Sequence, residues 1–112
     1  MGTVWYIART DTKELFDIGK RGFWFADANG LSNDLPFPPL RADREHIAAL
    51  VKHYEFDEPT ASAAVDALLG FIGPGAVLVD EHALELVDFD GDLFAWRGDV
   101  YREVGCIYSV GR

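Results

Sequence analysis

Acid–base or metal chemistry in this chain would have to run through three histidines, one cysteine and a dense set of carboxylates. His46 and His53 stand two helical turns apart, about 10 Å along an axis, too far to share one ion. They flank an apolar stripe and read as boundary residues with partly buried rings. His82 follows Asp80 and Glu81, but zinc needs three or four converging protein groups and no such set is visible. Asp88-Phe89-Asp90-Gly91-Asp92 places carboxylates at alternate positions, as a calcium loop does. Counting from Asp88, however, the sixth position is Leu93 where an EF-hand needs glycine, and the twelfth is Asp99 rather than glutamate. Cys106 alternates with apolar neighbours, has no flanking base, and reads as a small buried hydrophobe rather than a nucleophile. Paired carboxylates of a glycosidase carry no weight in a chain this rich in acids. Nucleophile-elbow, Walker A and dinucleotide fingerprints are absent. Gly19-Lys20-Arg21-Gly22 is a basic spot beside a turn, and Arg97-Gly98-Asp99 reads as a hairpin turn. No catalytic residue, metal or cofactor is expected.

What remains is charge and aromatic surface. The net charge is −9, with residues 1–25 at +1, 26–60 at −4 and 61–112 at −6. Phosphate backbones are therefore repelled, and no nucleic-acid partner is expected. Asp80, Glu81, Glu85, Asp88, Asp90 and Asp92 follow one another with no Lys or Arg between them. Alternating aspartates in a strand point to one face together, where repulsion calls for water, a cation or a basic protein surface. The run is therefore either a solvated face or a docking surface. Helices on one sheet face cannot hide aromatics that alternate between both faces, so exposed rings, Trp24 and Trp96 among them, are candidate contacts beside the carboxylates. Curling of the sheet into a half-barrel would bury such rings instead.

The elements that position these residues follow from periodicity. Residues 3–9 read as a strand, Leu15–Ile18 as a short second one, and Phe23–Ala26 as a third, apolar on both faces. Residues 31–40 hold three of the five prolines and form an extended connector. A first helix starts at the N-cap Asp43 and buries Ile47, Leu50, Val51 and Tyr54. A second has Pro59 in its first turn, a stripe of Ala61, Val65, Leu68 and Ile72, and a left-handed cap at Gly73 before Pro74. Ala76–Val79, Leu84–Phe89, Leu93–Trp96, Val100–Val104 and Cys106–Val110 then form an antiparallel meander, with Asp90-Gly91 and Arg97-Gly98-Asp99 at hairpin positions. The fold class is α+β: one domain over residues 1–112, an antiparallel sheet with two consecutive central helices packed on one face. No apolar run approaches the roughly 20 residues of a membrane span. No signal peptide is evident at the start, and a lone cysteine suits a reducing cytoplasm.

The opening Trp5-Tyr6-Ile7-Ala8-Arg9-Thr10-Asp11-Thr12-Lys13-Glu14-Leu15-Phe16-Asp17-Ile18-Gly19-Lys20 resembles the start of small bacterial proteins encoded beside polymorphic or contact-dependent toxins. Such immunity proteins are commonly small, acidic and α+β, and each binds and blocks one toxin domain. The resemblance covers the N-terminal segment only and carries no functional residue with it. It implies an inhibitor that caps a protein partner, such as a toxin nuclease domain; the charge pattern, read separately, points to a basic partner met by the carboxylates of 80–92. Two other readings stand beside it. One is a small enzyme or ligand-binding domain with a pocket between sheet and helices near His46, His53 or Tyr54; the other is an oligomerisation module pairing through sheet aromatics. The sequence does not fix the oligomeric state.

Overall fold

Alternation in the first twenty residues sorts two sets of apolar side chains onto opposite faces of a hairpin. In the computed structural model, which describes residues 3–22, 24–25, 43–73 and 75–110, β1 (Trp5–Arg9) and β2 (Glu14–Gly19) pair antiparallel. Tyr6 lies opposite Asp17, Ile7 opposite Phe16, and Ala8 opposite Leu15. Lys13 takes a left-handed φ of 61° at the turn, and its N–H donates to the Arg9 carbonyl at 2.8 Å.

Two capped helices follow. The Asp43 carboxylate accepts from the His46 N–H at 2.7 Å and opens α1 (Arg44–Val51). The Asp57 carboxylate does the same for Thr60 at 3.1 Å and opens α2 (Glu58–Phe71), with Pro59 in its first turn. Each cap satisfies backbone N–H groups that lack an intrahelical partner. Ile47, Leu50, Val51 and Tyr54 are all buried, Tyr54 from a single 3-10 turn that extends α1. Its hydroxyl donates to the Ile18 carbonyl at 2.6 Å, fastening the helix layer to β2.

The chain then returns to the sheet as β3 (Ala76–Asp80), β4 (Glu85–Asp88), β5 (Leu93–Trp96) and β6 (Asp99–Cys106). The strand order is β3-β1-β2-β6-β5-β4. Neighbours are antiparallel except β2 and β6, which run parallel. Arg97 and Gly98 both have positive φ, 52° and 83°, the backbone that suits a tight hairpin turn to twisted strands. Where β6 passes β2, a Cβ on Gly105 would lie 2.8 Å from Cε2 of Phe16, so glycine lets the ring rest on the backbone.

Two apolar layers result. Ile7, Phe16, Ile18, Leu78 and Ile107 meet both helices on one face. On the other face Tyr6, Ala8, Leu15, Val79, Trp96 and Tyr101 form their own buried cluster, flanked by Leu84 and Phe94. Burying one such side chain stabilises by about 1.5–3 kcal/mol, so each layer is a core in its own right.

Several expectations change. Trp24 and Phe25 are helical rather than part of a third strand, and Phe25 is fully buried, edge-on to Tyr54 with centroids 6.4 Å apart. Gly73 is not a left-handed cap: the backbone leaves α2 in extended form at Ile72, and a Cβ at Gly73 would meet the Arg9 guanidinium at 2.9 Å. The strand expected over 84–89 is Glu85–Asp88. That expected over 106–110 is the end of β6 followed by a 3-10 turn, Ile107–Ser109. Phe23, Ala26, the proline-rich segment 31–40 and Pro74 lie outside the described residues. Among the described residues no helix is long and apolar enough to cross a membrane.

Candidate functional site

The β4–β5 hairpin builds its tip from its own aspartates. The Asp88 carboxylate accepts from the N–H of Asp90 at 3.1 Å and of Gly91 at 3.3 Å, an Asx-type closure. Asp92 takes a φ of 52°, tolerated best by short polar side chains, and its carbonyl accepts from the Glu103 N–H at 2.9 Å, tying the tip to β6. Phe89 sits within this turn and is 80% exposed. Glu85, Asp88, Asp90 and Asp92 are exposed as well, and none of the four is in an ion pair among the described residues. Leu86 and Val87 on β4, with Val100 and Val104 on β6, are each about half exposed. These exposed apolar side chains lie on the β4–β5–β6 part of the sheet, whose Trp96 and Tyr101 are buried.

Asp80 and Glu81 do not belong to the tip. The Asp80 carboxylate accepts from the Ala83 N–H at 3.1 Å, and Glu81 Oε1 accepts from the Val4 N–H at 3.1 Å, so both carboxylates fasten the turn after β3. Trp24 is 37% exposed and stacks on the His53 ring, centroids 4.1 Å apart and planes 5° from parallel, in the helix layer. Trp96 is only 4% exposed, which corrects its expected role as a surface contact. Its indole lies on the second core face, edge-on to Tyr101 at 5.3 Å, with the Arg97 guanidinium 4.9 Å above it. Tyr6 and Tyr101 are buried in the same cluster, so these sheet aromatics are not available to a second copy.

Sequence reasoning missed a further set of acids. Asp17 and Glu103 lie on the second sheet face, Asp17 opposite Tyr6 and Glu103 beside Leu15 across the parallel β2–β6 pair. Burial raises the Asp17 carboxyl; the Gly19 N–H at 2.7 Å pulls it back, and Glu81 adds to the rise. Burial, then Asp17 and Asp92, push the Glu103 carboxyl up to about 6. The Tyr6 phenol is raised by burial, then by Asp17, Glu103 and Glu81. Among the described residues the charged groups that raise these pKa values are all acids, so carboxylates from Glu81 through Asp17 and Glu103 to Asp92 act on one another along this face. Alternation places Tyr6, Asp17 and Glu103 on that face; the antiparallel hairpin sets Tyr6 beside Asp17, and the parallel pairing brings Glu103 to them.

No family model, curated protein or solved structure matches the chain.

Tyr54 donates its hydroxyl to the Ile18 carbonyl, and the His53 ring stacks on Trp24 while its backbone carbonyl accepts from Arg21 Nη1. Among the described residues His46 Nε2, buried on α1, has no hydrogen-bond partner. Burial first of all raises the Cys106 thiol, which suppresses the thiolate a nucleophile needs. No group of three or more potential ligands is assembled for a metal among the described residues. A cleft of about 280 Å³ opens between α1 and α2, lined by Arg44, Ala48, Val51, Lys52, Ala61 and Val65. None of the residues expected at a pocket, His46, His53 or Tyr54, lines it.

Proposed function

We propose that the chain is an acidic protein-binding module that caps a basic protein partner, as an immunity-like inhibitor caps a toxin domain such as a nuclease. The observation that supports this reading is the hairpin tip: an aromatic ring 80% exposed, set among carboxylates that have no ion-pair partner in the described chain. A phenyl ring at a turn stabilises nothing by folding and costs solubility; seated in a partner's pocket it becomes an anchor of the kind that dominates binding energy. The carboxylates around it would steer a basic surface onto the tip and raise the encounter rate. The division of labour is thus charge for association and Phe89 for slow release.

The test is co-expression with the product of the gene beside its own, followed by purification at about 0.05 and 0.5 M salt, across which the Debye length shortens severalfold. The complex should survive at low salt and weaken at high salt, and Phe89→Ala should release the partner about tenfold faster or more. Absence of a complex, or one indifferent both to salt and to Phe89→Ala, contradicts the proposal.

A further inference from the structure

Among the described residues β4 is an outer strand of the sheet, and all four of its residues are exposed. Its outward N–H and C=O groups therefore form a template for another strand, the arrangement sheets normally cover or blunt. The opposite edge, β3, is different: Ala76, Leu78 and Val79 are buried there. The register shift between Leu86 and Asp88 puts Glu85 and Asp88 opposite Ala95 and Leu93, hence on the same face of the sheet, while Leu86 opposite Phe94 lies on the other. The edge thus presents two carboxylates on one side and an apolar side chain, Leu86, 51% exposed, on the other.

That pattern selects an occupant. A second copy pairing antiparallel about the centre of β4 would set Glu85 of each chain opposite Asp88 of the other, and like charges directly opposite across strands are destabilising. An extended segment with Lys or Arg at alternate positions would instead place cations against both carboxylates and apolar side chains along Leu86. We infer that β4 receives an extended basic segment of the partner as an added strand, with backbone hydrogen bonds giving affinity and the carboxylates giving selectivity. The inference rests on the reading of the chain as a binder of basic proteins. It adds the mode of recognition, strand addition beside the tip, with Phe89 at the end of the new pair.

The probes are three capped heptapeptides: one alternating lysine and valine, one of the same lysine content interrupted by prolines, and one alternating glutamate and valine. Affinity is read by titration, and the site by amide hydrogen exchange over residues 85–88. The lysine–valine peptide should bind and slow exchange along β4. The proline-containing peptide, unable to donate to a ladder, should bind about tenfold more weakly or worse. The glutamate peptide should not bind. Equal affinity for the two basic peptides, or binding that leaves exchange at 85–88 unchanged, overturns strand addition while leaving a charged docking surface in place. Failure of the lysine–valine peptide to bind also overturns it, and the co-expression experiment then decides the broader proposal separately.

Discussion

Replacing Glu103 by glutamine should make the protein more stable at neutral pH, although it removes a charge from a partly exposed position. Burial, followed by Asp17 and Asp92, raises this carboxyl from 4.5 to about 6. The folded chain therefore binds the proton more tightly than the unfolded chain. Above about pH 6 the native state bears the whole cost of the ionised group. As pH falls from 6 toward 4.5 it takes up the proton first and stability rises, and below 4.5 both states are protonated and the gain is complete. At about 1.4 kcal/mol per pKa unit, the shift corresponds to about 2 kcal/mol. Solvent screening of a group this open to water reduces that to about 1 kcal/mol. In a domain of this size about 1 kcal/mol moves Tm by roughly 4 °C. Thermal unfolding followed by tryptophan fluorescence should show Glu103→Gln melting higher than the parent at pH 7.5, with the two converging near pH 4.5. A variant equal to or less stable than the parent at pH 7.5 would refute the reasoning, because it would mean that the carboxylate is compensated in the native state. Asp17→Asn is not an equivalent test, since the Asp17 carboxylate also holds the Gly19 N–H at 2.7 Å.

Other outcomes follow from single contacts. Tyr54→Phe leaves the Ile18 carbonyl without its buried donor and should cost about 1–3 kcal/mol in urea unfolding, with little change in m-value. Gly105→Ala drives a Cβ to 2.8 Å from the Phe16 ring, itself packed on Phe71 at 5.5 Å, and should destabilise by about 1–3 kcal/mol in the same assay. Glu85→Lys turns the like-charge pairing of two β4 edges into an attractive one, so sedimentation should show concentration-dependent dimers that the parent does not form.

Local chemistry was readable in the sequence and long-range pairing was not. Asp43 caps its helix and Pro59 sits in the first turn of the next because both signals are local, and the stripe Ile47, Leu50, Val51 and Tyr54 is buried as its period dictates. The Arg97-Gly98 turn was equally local. Trp24 and Phe25 failed because a doubly apolar run of four residues fits a buried helical turn as well as a strand. The sheet order placed β6 beside β2, and with it came the Asp17–Glu103 band that no spacing rule connects. Of the acidic run, Glu85, Asp88, Asp90 and Asp92 are exposed along the β4–β5 hairpin, whereas Asp80 and Glu81 are diverted by hydrogen bonds to Ala83 and Val4. Phe89 went unnoticed because its neighbours make it look like part of a strand; only the turn around it leaves the ring outside.

The central claim, that the hairpin tip draws in a basic partner by charge, is tested most directly by the association rate constant of the complex for the parent chain and for the Asp90→Asn, Asp92→Asn double variant. Neither side chain is used as a hydrogen-bond acceptor in the turn, and asparagine tolerates the left-handed backbone at position 92, so the fold should be undisturbed. The double variant should associate severalfold more slowly at about 0.02 M salt, and the two rates should converge at about 0.5 M, where the field is screened. Equal association rates at every salt concentration would contradict the claim.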